Sequence, residues 1–126
     1  SLEDIVYYYA DKDSNDIIID ASNFNNKKGD SEVFGISLNE LGLYNIEITM
    51  KSEQGSLSQL PLSIYYDNAL KSTITIRGTE GEWVTESREL GFIFGVNHYI
   101  KLYFGASGLD IDKVVIKFMG KGKLPF

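Results

Sequence analysis

The chain has 126 residues, about one domain, and its 43% apolar and 13% aromatic content places it among globular proteins that need no metal or disulfide to fold. Eighteen acidic residues against twelve basic give a net charge of -6, which opposes approach to phosphate backbones and anionic lipid and so argues against nucleic acid as a partner. The absence of cysteine removes thiol nucleophiles and Cys-ligated zinc, and no run of roughly 18 apolar residues offers a membrane insertion.

Leu2 to Ala10 is a tyrosine-rich segment that is expected to be a strand, with at least one of Tyr7, Tyr8 and Tyr9 on the outside because neighbouring side chains alternate faces. This start lacks the basic and apolar regions of a signal peptide and reads as a cut inside a longer polypeptide. DKDSND, Asp11 to Asp16, is a solvated turn cluster. Ile17 to Phe24 follows as a strand, then a polar loop bent at Gly29, then Glu32 to Leu38 with Phe34, Ile36 and Leu38 on one face.

Leu43 to Met50 alternates strictly, with Tyr44, Ile46, Ile48 and Met50 inward, the pattern of a half-buried antiparallel strand. After a Ser/Gly/Gln loop over Lys51 to Gln59, Leu60, Leu62, Ile64 and Tyr66 turn inward while Ser63 and Tyr65 point out. Asp67-Asn68 is a turn, Ser72 to Arg77 a strand, and Gly78 to Glu82 a second turn. The stretch Gly81 to Phe118 holds the only Trp and the only His. In it His98, Ile100, Leu102 and Phe104 share one face, Tyr99, Lys101 and Tyr103 the other, and Asp112 is expected on the core face with Val114, Ile116 and Phe118. Short strands with turns every eight to twelve residues and no helical spacing predict an all-β sandwich or barrel, a single domain over 1–126 with a core over 17–118 and flanking segments 1–16 and 119–126. MGKGKLPF, Met119 to Phe126, is expected to be an irregular exit.

These segments, in this order, resemble family 6 and family 35 carbohydrate-binding modules, the galactose-binding-like jelly-roll β-sandwiches of two antiparallel sheets. Ile19 to Phe24 is similar to the family's Ile-Glu-Ala-Glu opening, and Glu40, Gly42 and Tyr44 to its acidic-glycine-X-Tyr corner. GEWV, GVNHYIKLYF and GLDIDKVVIKF resemble the Gly-X-Trp, Gly-X-His-X-Ile-X-Leu and Gly-X-Asn-hydrophobic-Asp-hydrophobic motifs. The resemblance implies a noncatalytic domain of an extracellular, periplasmic or cell-surface protein, binding a polysaccharide or other glycan beside a catalytic domain in a longer chain. It also implies a site at the loop apex or on a sheet face, and a structural calcium.

Sugar binding in water requires a flat aromatic surface for the pyranose C–H face and fixed polar groups for its hydroxyls. Glu86 stands where such modules often carry an aromatic platform, and Trp83 is expected in the core, as indoles usually are. Asp110 replaces the Asn of the closing motif and can still accept from sugar hydroxyls. Tyr65, Tyr99 and Tyr103 form a candidate aromatic patch if their strands are neighbours, and Arg77 and Arg88 leave an acidic sugar open. An inward Asp112 needs a cation or several donors. The resemblance pairs it with Asp20 as calcium ligands, with Ser22 where a second carboxylate would help. His98, without a second His or a nucleophile motif, is read as structural. Glu82, Glu86 and Glu89 do not by spacing make a glycosidase pair. Two readings remain, a glycan-binding module and a sandwich that packs on a catalytic domain without binding sugar. An exposed aromatic cluster separates them.

Overall fold

The computed structural model describes residues 4–122 and consists of nine strands in two face-to-face sheets. They are β1 (Tyr7–Tyr9), β2 (Ile17–Asp20), β3 (Ser31–Ser37), β4 (Gly42–Lys51), β5 (Gln59–Tyr66), β6 (Ala69–Arg77), β7 (Val84–Ile93), β8 (Asn97–Phe104) and β9 (Asp110–Phe118). The five-stranded sheet has the order β1-β3-β8-β5-β6 and the four-stranded sheet β2-β9-β4-β7. All pairings are antiparallel except β1 with β3, which is parallel.

The expected alternation makes the core. Tyr44, Ile46, Ile48 and Met50 of β4 and Ile100, Leu102 and Phe104 of β8 are essentially removed from water, as are Ile17, Ile19, Leu60, Leu62, Ile64, Val114 and Ile116. The opening segment is shorter than expected. Of Leu2 to Ala10 only Tyr7–Tyr9 is strand, and the residues before Asp4, like Lys123 to Phe126 of the expected exit, lie outside the described residues. Tyr8 turns inward against Phe34, with ring centroids 5.8 Å apart, while Tyr7 lies outside across Gly35. A Cβ on Gly35 would sit 2.5 Å from the Tyr7 ring, so glycine is what lets that ring lie flat on the sheet. The strand expected over Ile17 to Phe24 ends at Asp20, because Asp20 Oδ1 accepts both the amide and the hydroxyl of Ser22 and turns the chain.

Two bulges flank β4. On the β9 side Thr49 pairs with Lys113 and Met50 with Ile111, leaving Asp112 without a partner. On the β7 side Tyr44 pairs with Gly91 and Asn45 with Glu89, leaving Leu90 over. Gly91 adopts φ +91°, the left-handed conformation that such a bulge needs and that glycine takes at no steric cost.

At the lower end the Tyr44 hydroxyl donates to the Glu40 carbonyl at 2.6 Å, and its ring packs on Phe118 with centroids 5.3 Å apart. Burial, and then the Glu40 carboxylate, push the phenol up to about 12. Burial also raises Tyr66, with the Asp67 charge adding to it. A raised phenol keeps its proton in the folded state after the unfolded chain has lost it near pH 10, so its contribution is complete below that pH and is lost as pH rises towards 12. Urea titrations at pH 8, 10 and 11.5 are therefore expected to show the midpoint falling above pH 10. Tyr44→Phe should be about 0.5–1.5 kcal/mol less stable at pH 8, because the Glu40 carbonyl loses its donor, and should show a smaller alkaline fall than the parent. An equal fall in parent and variant would remove Tyr44 as a source.

Candidate functional site

Four loops meet at one end of the sandwich, residues 21–30, 52–58, 78–83 and 105–109. They are tied to one another rather than splayed. Gln54 Nε2 donates to the Ser107 carbonyl at 3.2 Å, the Lys28 amide to Ser107 Oγ at 2.9 Å, and the Gly78 amide to the Ser58 carbonyl at 3.0 Å. Ser52, fully buried, donates its amide to Thr79 Oγ1 and accepts the Gly81 amide on its carbonyl. This knot fixes the residues that lead into β7, above all Trp83.

Trp83 is not in the core, which corrects the expectation. It is 49% exposed, because it precedes the first paired residue of β7 and faces outward with Lys51 at the end of β4. Lys51 Nζ lies 4.8 Å from the centre of the indole and 3.5 Å from Glu53 Oε1. A cation at that distance from an indole face is attracted by the ring quadrupole, which restrains the ring. Opposite Lys51 on the other side is Asp110, whose Oδ1 accepts from Asn26 Nδ2 at 3.0 Å, and Asn26 also donates to the Leu109 carbonyl at 2.9 Å. Trp83, Lys51 and Asp110 thus form one row across β7, β4 and β9, on the outer face of the four-stranded sheet.

Below this row runs a shallow groove of about 460 Å³, lined by Trp83 with Glu47, Thr49, Thr85, Asp112, Lys113 and Val115. The Thr49 and Thr85 hydroxyls bond to each other at 2.9 Å across β4 and β7. An aromatic plane beside carboxylates, hydroxyls and an ammonium suits a ligand with one apolar face and a rim of hydroxyls. Val84 pairs with inward Met50, so the residue before it points outward level with Lys51, and where the β4–β7 pairing begins is not written in the local sequence.

Asp112 corrects a second expectation. Ile111 points inward and Asp112 and Lys113 are both exposed before Val114 returns to the core, because the bulge at Asp112 shifts the parity by one. Its carboxylate is therefore in water and needs no buried cation. Asp20 is also exposed, and the Ala21 amide donates to the Asp112 carbonyl at 3.0 Å, so the structure does bring the two acidic residues to neighbouring positions. Calcium requires six to eight oxygens. Two exposed carboxylates, one already accepting from Ser22, supply a minority of them, and no group of three or more His, Asp or Glu side chains gathers to hold a metal among the described residues. These side chains by themselves do not make a closed calcium site.

The remaining candidates are dispersed. Glu86 sits on the inward side of β7, opposite Ile48, at the open edge of the sandwich, and pairs with Arg88 at 3.4 Å. It belongs to neither the groove nor an aromatic cluster. Tyr65, Tyr99 and Tyr103 come together as their parity suggested, on the outer face of the opposite sheet, where β5 and β8 are neighbours. Lys101 Nζ lies 4.3 Å over the Tyr65 ring, and the Tyr7 hydroxyl donates to Tyr99 at 3.0 Å. His98 is held structurally at the lower end, its Nδ1 2.7 Å from Asp67 Oδ2 and 2.8 Å from the Tyr66 hydroxyl.

No family model matches the chain. A β-glucosidase of Ruminococcus albus is 32% identical over 102 residues, which is 81% of this chain and 11% of that enzyme, so the chain spans about a ninth of the length of that relative. Among solved structures, a β-glucosidase from Paenibacillus barengoltzii superposes with a TM-score of 0.69 at 20% identity, covering 90% of this chain and 11% of that one. The C-terminal CBM6 of LamC, a marine laminarinase from Zobellia galactanivorans, superposes with a TM-score of 0.67 at 19% identity, covering 82% of this chain and 99% of that module. The expected jelly-roll fold is the fold of the chain.

The donor set at Asp20 and Asp112 predicts that EGTA leaves the melting temperature of the metal-stripped protein unchanged and that 1 mM calcium raises it by less than about 1 °C, since a native-state ligand stabilises only in proportion to ln(1 + [L]/Kd). A rise of several degrees would show that backbone and loop oxygens complete a site.

Proposed function

We propose that this chain, which has the fold of a family 6 carbohydrate-binding module, is a noncatalytic glycan-binding domain attached to a glycoside hydrolase, and that it holds its polysaccharide at Trp83. One observation carries the reading. The single tryptophan lies half-exposed at the head of a groove of carboxylates, hydroxyls and a lysine. Stacking a pyranose on that indole covers apolar surface on both partners, and Asp112, Glu47 and Lys113 stand where its hydroxyls would point. Asp110, with one oxygen engaged by Asn26, holds the loop and retains an acceptor at the upper end of the groove.

The likeness to β-glucosidases over about a ninth of their length supports attachment to such an enzyme. A polysaccharide does not cross a membrane, so a domain that binds one works in an extracellular, periplasmic or cell-surface setting. Catalysis has no support in the groove. A glycosidase pair brackets the scissile bond in a cleft, and Glu47 and Asp112 lie on an open sheet face. The spacer reading gives the exposed indole no task.

Affinity electrophoresis through β-1,3-glucan, β-1,4-glucan, xylan and galactan tests the site. The parent protein should be retarded by at least one of them, and Trp83→Ala should weaken that binding about tenfold or more, the equivalent of 1.4 kcal/mol. Tyr65→Ala and Tyr103→Ala should leave it within about twofold, a difference of under 0.5 kcal/mol. Loss in the tyrosine variants alone would move the site to the opposite sheet. No retardation of the parent in any polymer would favour the spacer reading.

A further inference from the structure

The lower half of the Trp83 face has a different character. Leu43 on β4 and Phe92 on β7 are cross-strand partners and both point outward. Phe94 packs on Phe92 with centroids 4.7 Å apart, and Met119 adjoins Leu43 across a depression of about 300 Å³ whose far side carries Asn45 and Glu89. Leu43, Phe94 and Met119 are each between 38% and 49% exposed. The core does not require this. Leu90 and Ile93 fill the inward positions, and it is the Leu90 bulge, with Gly91 in its left-handed conformation, that turns Phe92 to the outside. A bulge that turns a large aromatic ring to the outer face, half-buried beneath Phe94 and beside an exposed leucine, builds a surface, and an apolar surface of this kind marks a contact.

We infer that Leu43, Phe92, Phe94 and Met119 form the docking surface for a neighbouring domain of the same polypeptide, a domain that presents an apolar patch with a hydrogen-bond donor facing Glu89 at its margin. The inference rests on the module reading above. Two observations select this occupant. The chain is 32% identical to a stretch that makes up 11% of a β-glucosidase, and it superposes on 11% of a second β-glucosidase, so in both the corresponding region belongs to a much longer polypeptide. Size is the other argument. Four apolar side chains fall well short of the roughly 1,000 Å² that a specific contact between separate molecules requires, whereas a domain joined through a short linker is present at an effective concentration on the order of millimolar. The patch lies eight residues along β4 from Lys51, roughly 26 Å at about 3.3 Å per residue, so a domain seated there leaves the Trp83 end open.

The test compares the full-length polypeptide with the isolated 126-residue domain, each as parent, Leu43→Lys and Phe94→Lys. Amide exchange over 42–45 and 91–96 should be slower in the full-length parent than in the isolated parent. In the full-length protein the two substitutions should lower the melting temperature of this domain by about 3–5 °C and restore the faster exchange, and in the isolated domain they should change melting by less than about 1 °C, a difference of a few tenths of a kcal/mol at most for a domain of this size. The isolated domain should sediment as a monomer. Equal melting shifts in both settings would make the patch part of the internal packing, and equal exchange in both parents would leave it uncovered. A dimer dissolved by Leu43→Lys would make a second copy the occupant. Each of these overturns the inference. Polysaccharide retardation of the isolated lysine variants should match the parent, while Trp83→Ala should leave the slowed amide exchange over 42–45 and 91–96 of the full-length protein unchanged, so failure of the glycan site and failure of the docking surface read out separately.

Discussion

The period-two alternation of β4 is the constraint on which the rest of the molecule depends. As an inner strand of its sheet, with β9 on one side and β7 on the other, it must keep Tyr44, Ile46, Ile48 and Met50 in the core. A slip of one residue would exchange that row for Leu43, Asn45, Glu47, Thr49 and Lys51. The inward row therefore fixes the outward one. Lys51 beside the indole, Glu47 and Thr49 in the groove and Leu43 in the apolar patch are placed by the burial of their neighbours.

The two bulges modify that rule locally, one on each side of β4. At Asp112 the extra residue releases a carboxylate to water and lets Ile111 and Val114 both remain inside. At Leu90 it keeps a leucine buried and sends Phe92 outward. In both places the surface gains a side chain that a regular strand would have buried. The exposed side of the four-stranded sheet thus has a polar, aromatic upper half and an apolar lower half, two surfaces for two different contacts on one rigid support.

The opposite sheet is built differently. Two of its three outward tyrosines are engaged, Tyr65 beneath Lys101 and Tyr99 with Tyr7, while Tyr103 is 40% exposed. Asp67 holds the lower end of this sheet by accepting the Tyr99 amide on one oxygen and facing His98 with the other, across a two-residue turn with φ of 46° and 69° at Asp67 and Asn68. These contacts stiffen the sheet and leave less aromatic surface free than the tyrosine count suggests. Trp83, at 49% exposure, is the larger open aromatic surface and is the one that heads a groove.

The Asp67-Asn68 and Gly78 to Glu82 turns, the inward rows of β4, β5 and β8 and the jelly-roll fold were legible in the sequence, because side-chain alternation and turn chemistry act over a few residues and are written in consecutive letters; the ends of β1 and β2 and the inward side of β9 at Asp112 were not. That Tyr65, Tyr99 and Tyr103 would share a face was legible as parity. That they would be neighbours was decided by the pairing of β5 with β8. The exposure of Trp83 and of Asp112 was beyond the sequence for a single reason. Both depend on register against another strand, Trp83 on where the β4–β7 pairing begins and Asp112 on the extra residue that β9 carries against β4. Only the assembled sheet sets that register, and with it the surface this protein offers to a ligand.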